Sequence, residues 1–134
     1  ILCFDYGAKR VGIAVTDEQR IISSPLETYD TDKIFDFIDS YTDTNNVDLF
    51  LVGLPTNLKG LETDATKITN DFVEKLREKY KQVDVETYDE RFTSKIARDS
   101  LIFLGKNKKY RRKKSNIDKV SASIILQSYL QRNS

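Results

Sequence analysis

Three strand-like runs open this chain with almost nothing between them, and that limits what it can fold into. Residues 1–6 (Ile-Leu-Cys-Phe-Asp-Tyr) and 11–16 (Val-Gly-Ile-Ala-Val-Thr) are rich in strand formers, and Gly7, Lys9 and Arg10 lie in the turn between them. Residues 17–20 make a polar turn, and a third, weaker strand runs from 21 to about 29, interrupted by Pro25. A parallel return needs a crossover of about a dozen residues, so strands this closely spaced must pair antiparallel.

Thr31 and Asp32 then open a helix with Ile34, Phe35, Ile38 and Tyr41 at helical spacing. Residues 47–52 (Val-Asp-Leu-Phe-Leu-Val) are nearly all apolar, as expected of a central strand covered on both faces, and Gly53-Leu54-Pro55 is read as its break. A second helix is expected over roughly 63–80, with Ile68, Phe72, Leu76 and Tyr80 on one stripe, and a fifth strand over 83–88. Thr93 can cap a third helix carrying Ile96, Ala97, Leu101 and Leu104. Ser115 can cap a fourth, with Val120, Ile124, Leu126 and Leu130 among its apolar positions. The order βββαβαβαα describes an α/β domain with a mixed five-stranded sheet and helices on both faces. It is the order of the ribonuclease H-like fold. No repeat, linker or composition shift divides the 134 residues, so a single domain over 1–134 is expected. No apolar run approaches the ~18 residues of a membrane span. Residues 1–4 enter a strand pattern without a basic n-region, so no signal peptide is expected.

Composition matters most through what is missing. There is no histidine, which removes Ser-His-Asp and Cys-His catalysis, His-bound zinc and His general bases together. The single cysteine, Cys3, allows no internal disulfide and points to a reducing compartment. Net charge is +1, yet Lys106, Lys108, Lys109, Arg111, Arg112, Lys113 and Lys114 crowd into ten residues without one acid. The remaining 15 Lys and Arg face 21 Asp and Glu, a body at −6. An acidic body with one concentrated basic segment suits a polyanionic partner met at one place; a solvated surface loop is the plainer reading.

Three acidic positions stand at element ends. Asp5 closes an apolar run, where a carboxylate is costly to bury unless paired or bound to metal; bonding the turn amides near Gly7 is the alternative. Asp89-Glu90-Arg91 lies at the carboxyl end of the fifth strand, the edge where α/β sheets gather ligands; an ion pair with Arg91 is the alternative. Asp118 follows Ser115 by three, which is also a capping-box spacing. Carboxylates from separate elements, no histidine and a nearby basic block together suit a hard divalent cation, Mg²⁺ or Mn²⁺. Two such ions can activate water and stabilise the leaving oxygen in phosphodiester cleavage.

Asp5-Tyr6-Gly7 with Lys9-Arg10-Val11-Gly12, Val52-Gly53-Leu54-Pro55, Asp89-Glu90-Arg91-Phe92-Thr93 and Ile117-Asp118-Lys119-Val120 occur in order across nearly the whole chain. On these motifs the sequence resembles the YqgF family of Holliday junction resolvase-like proteins. The resemblance implies a ribonuclease H-like fold, a cytoplasmic location and a nuclease acting at the 5′ end of pre-16S rRNA, with junction resolution on DNA as the older description. Carried over, the family's acidic residues fall on Asp5, Glu90 and Asp118, expected to be both catalytic and metal-binding. The better-known bacterial junction resolvases place an acid at the end of the fourth strand, where this chain has Val52-Gly53-Leu54-Pro55, and another three residues after the helix aspartate, where it has Ser121. With strand order 3-2-1-4-5, the fifth strand lies two steps from the first, about 9–10 Å. Glu90 is one methylene longer than Asp89 and is preferred for that reach.

The leading expectation is a metal-dependent endonuclease acting on structured RNA. Lys9, Arg10, Arg91, Lys106, Lys108, Lys109, Arg111, Arg112, Lys113 and Lys114 would contact nucleic acid. A resolvase acting on branched DNA is the second reading; the two-fold symmetry of a four-way junction would then favour a dimer. A nucleic-acid-binding protein without catalysis is the third. Oligomeric state is left open.

Overall fold

The computed structural model describes residues 1–55, 64–90 and 114–133, with 114–119 described by their backbone alone. Strands β1 (Leu2–Tyr6), β2 (Arg10–Thr16) and β3 (Ser23–Asp30) form the antiparallel meander that the short links require. A 3-10 turn over Thr31–Lys33 leads into α1 (Ile34–Thr44), followed by β4 (Leu49–Leu54), α2 (Asp64–Lys79), β5 (Asp84–Asp89) and α3 (Lys114–Arg132). The sheet order is β3-β2-β1-β4-β5, with β4 parallel to both β1 and β5. This is the expected ribonuclease H-like arrangement.

Strand alternation sorts the core into two layers. Leu2, Phe4, Val11, Ile13, Phe50 and Val52 point to the face covered by Ile34 and Ile38 of α1 and Phe72, Val73 and Leu76 of α2. Phe72 anchors this layer: its ring packs edge-on to Phe4 at 5.5 Å and stacks on Tyr6 at 4.3 Å. Cys3, Ala14, Leu49, Leu51 and Tyr88 point to the other face, against Ala122, Ile125 and Leu126 of α3. Polar bonds tie α3 down at both sides of the sheet. The Tyr88 hydroxyl pairs with Ser128 Oγ at 2.8 Å, the Tyr129 hydroxyl donates to Glu86 at 2.6 Å, and Ser23 Oγ donates to the Ser123 carbonyl at 2.8 Å.

Several boundaries differ from those expected, each for a local reason. The third strand starts at Ser23, because Asp17 Oδ1 accepts the amides of Ile21 and Ile22 and holds both in the turn, 61% and 60% exposed. Pro25 is accommodated because β3 is an edge strand with a register shift opposite Ile13 and Ala14. The fourth strand does not break at Gly53, which pairs with Tyr88 inside the ladder, as Leu54 pairs with Asp89. Ile68 was expected on the inward stripe of α2 but is 40% exposed. Thr66 and Thr69 take the inward positions, their hydroxyls donating to the carbonyls of Pro55 and Ala65. In α3, Ser115 falls inside the helix rather than at its cap. The helix expected after Thr93 lies outside the described residues.

Candidate active site

Because β1, β4 and β5 run parallel, their carboxyl ends share one edge of the sheet. Asp5 lies at that end of β1, and Asp89 and Glu90 at that end of β5. The β1–β2 turn stands at the same edge. Its tightness depends on Gly7, whose amide donates to the Arg10 carbonyl at 2.9 Å; a Cβ there would lie 2.8 Å from that same oxygen. Thr31 braces the turn by donating its hydroxyl to the Gly7 carbonyl at 2.7 Å and its amide to the Lys9 carbonyl at 3.0 Å. Lys9 is thereby held exposed at the rim, and Arg10 is half-buried beside it.

Side-chain parity decides which acids can meet. Asp5 is two residues from Cys3 and shares its face, toward α3; Glu90, directly after β5, has its side chain over Gly53 beside Ile125 of α3, on that face also. Asp89 alternates to the opposite face, with Val85. The Glu90 side chain crosses β4 above Gly53 and hydrogen-bonds to the Asp5 carboxyl group. Burial raises the Glu90 carboxyl above the ordinary carboxylate range, the nearby Asp89 charge adds to the rise, and the Asp5 bond works against it. Two carboxyl groups in such contact need a proton or a cation between them. Behind the pair, Cys3 is fully buried, and burial together with the Asp5 and Glu90 charges pushes its thiol well above its usual range.

The structure therefore brings together two of the three expected acids. Asp118 falls on the backbone of α3 near its start, and its side chain is outside the described residues. Arg91 and the block from Lys106 to Lys113 are outside them too, and Lys114 is placed only as the first described residue of α3. Among the described residues, no group of three or more Asp, Glu, Cys or His is gathered as a metal cage. Sequence reading missed Gly53, taken for a strand break. A glycine inside a strand marks a close approach, and counting β4 through it would have set it beside Asp5.

Residues 1–132 match the family described as RuvX: Holliday junction resolvase. The chain belongs to this family. A relative from Amoebophilus asiaticus, named "Putative pre-16S rRNA nuclease", is 44% identical over 97% of this chain and 92% of its own length. Proteins of the same name from Flavobacterium psychrophilum and Phocaeicola vulgatus are 41% and 42% identical, each over 98% of this chain and over 96% and 94% of their own lengths. In this RuvX chain the family match takes in Asp5, Glu90, Asp118 and the whole basic block.

Proposed function

We propose that this chain is a metal-dependent endonuclease that hydrolyses phosphodiester bonds in structured RNA and processes the 5′ end of pre-16S rRNA. The observation that carries the reading is the Asp5–Glu90 carboxyl contact at the carboxyl edge of the sheet. The names of the full-length relatives support its direction. The donor set is oxygen-only, which fits Mg²⁺ or Mn²⁺, and Asp5, Glu90 and Asp118 would hold the ion. Bound there, such an ion supplies Lewis acidity for water activation and charge neutralisation at the scissile phosphate.

The chain's own residues do the rest. Asp5 on β1 and Glu90 directly after β5 are pre-positioned by the sheet, so their charge costs little reorganisation on substrate binding. Lys9 and Arg10 at the rim, with Arg91 and the segment from Lys106 to Lys114, hold the phosphate backbone without reading bases. Among the described residues no helix is long and apolar enough to cross a membrane, and a cytoplasmic location goes with the rRNA substrate. The family description favours a second reading, resolution of branched DNA by a dimer.

Incubating the protein with a pre-rRNA fragment and with a synthetic four-way junction, each with Mg²⁺, Mn²⁺ or chelator, separates these readings. Metal-dependent cleavage of the RNA, lost in Asp5→Asn and Glu90→Gln but retained in part in Asp89→Asn, is the expected result. Cleavage that persists in excess chelator would overturn the mechanism. Paired cuts in the junction alone, by a dimer, would favour the second reading. Salt-sensitive RNA binding with no cleavage under any condition would leave a binding protein.

A further inference from the structure

Glu90 has a long way to go. It directly follows β5, which is separated from β1 by β4, so its carboxylate must pass over a whole strand to touch Asp5. The residue beneath that path is Gly53, which pairs with Tyr88 on one side and stands one step beyond the Phe4–Val52 pair on the other. Built onto its backbone, a Cβ would lie 2.9 Å from Glu90 Oε1, 3.4 Å from Glu90 Cγ and 2.7 Å from Ile125 Cδ1. Asp5's partner on β2 is also a glycine, Gly12, so neither neighbouring strand sets a side chain beside the carboxylate.

We propose that Gly53 is a positioning residue for the candidate metal site: its missing side chain is the channel through which Glu90 crosses β4 to reach Asp5. The inference rests on the reading of Asp5 and Glu90 as metal ligands. A glycine within a strand ordinarily weakens it, so its presence in the ladder calls for a packing reason, and the crossing side chain provides one. The atoms closest to the added Cβ are the ends of two flexible side chains, not backbone. A methyl group at 53 therefore displaces Glu90 and Ile125 while the fold survives. Ile125→Val removes Cδ1 alone, so the two conflicts can be separated.

The test compares wild type, Ile125→Val, Gly53→Ala/Ile125→Val and Glu90→Gln, using metal-free crystal structures and Mn²⁺ titration followed by electron paramagnetic resonance. In Ile125→Val the Glu90 carboxylate should remain on Asp5. In the double variant it should be displaced, with Mn²⁺ affinity lowered about 10–100-fold, the scale seen when ligand placement is lost. Adding Glu90→Gln to the double variant should cost nothing more. Glu90 still bonded to Asp5 in the double variant would overturn the proposal. A double variant that fails to fold would overturn it too, because only side-chain ends should have to yield. Glu90 displaced with Mn²⁺ affinity unchanged would uphold the positioning and overturn instead the assignment of Glu90 as a ligand.

Discussion

Glu90→Gln should make the metal-free protein more stable and metal-blind at once. Without a cation, Asp5 and Glu90 are acids in contact, and the Glu90 carboxyl is raised by burial and by Asp89. A carboxyl raised in the folded state contributes stability that is present below its unfolded value of about 4.3, and is lost as pH rises through the raised value. At pH 7 the pair is thus a liability that the glutamine removes. Burial and the Asp89 charge oppose ionisation of Glu90; two like charges about 4 Å apart at an effective dielectric near 20 repel by about 4 kcal/mol, a ceiling that the Asp5 hydrogen bond lowers. Partial exposure and counter-ions reduce this to about 1–2 kcal/mol. For a chain of 134 residues, each kcal/mol moves Tm by about 4 °C, so a rise of about 4–8 °C is expected in chelator. Mn²⁺ at about 100 times its Kd should add about 2.7 kcal/mol to wild type and little to the variant. Calorimetric melts at pH 5 and pH 7, with and without Mn²⁺, measure all of this, and the variant's advantage should shrink at the lower pH. A metal-free Glu90→Gln that melts below wild type at pH 7, or gains as much from Mn²⁺, would refute the reasoning.

Three further outcomes are expected. Neutralising Lys108, Lys109, Arg111 and Arg112 together should weaken binding to every RNA by a similar factor and flatten the log K against log salt plot by roughly one unit per lost contact or somewhat less; unchanged affinity and slope in filter-binding titrations would make the block a solvated surface. Phe72→Ala removes the ring that Phe4 and Tyr6 pack against and should cost about 3–5 kcal/mol in urea unfolding; a loss under about 1 kcal/mol would show that the layer collapses around the gap. Cys3, fully buried with its thiol pushed up, should resist iodoacetamide in the folded chain and react at once in denaturant; rapid native labelling would show that the sheet opens at β1.

The meander and the sheet order were legible because link lengths and apolar runs carry that information directly. Gly7, the polar turn at 17–20 and the apolar core of β4 left few alternatives. Finer features depended on partners that the sequence does not name. Ile68 looked inward by spacing, but the inward face of α2 takes two threonines whose hydroxyls bond to nearby carbonyls. Ile21 and Ile22 looked like strand residues, but an aspartate four and five positions earlier captures their amides. In each case a local polar bond outweighed an apolar side chain.

The choice between Asp89 and Glu90 shows where sequence reasoning about the site could be sharpened. Length favoured Glu90, yet length by itself would not bring Asp89 to Asp5, because Asp89 leaves the sheet on the wrong face. Parity was hard to read from the sequence: Val83, just before β5, and Val85 pack into one layer and Tyr88 into the other, so the apolar residues do not mark a single buried side. The buried residue of this edge strand is Tyr88, and it sets the face. Tyr88 points to α3, Glu90 directly after the strand lies over Gly53 on the same face, and the side chain absent at Gly53 gives it passage over β4. The Asp5–Glu90 contact is therefore specified by three positions together: an acid at the end of β1, an acid directly after β5, and a glycine on the strand between them.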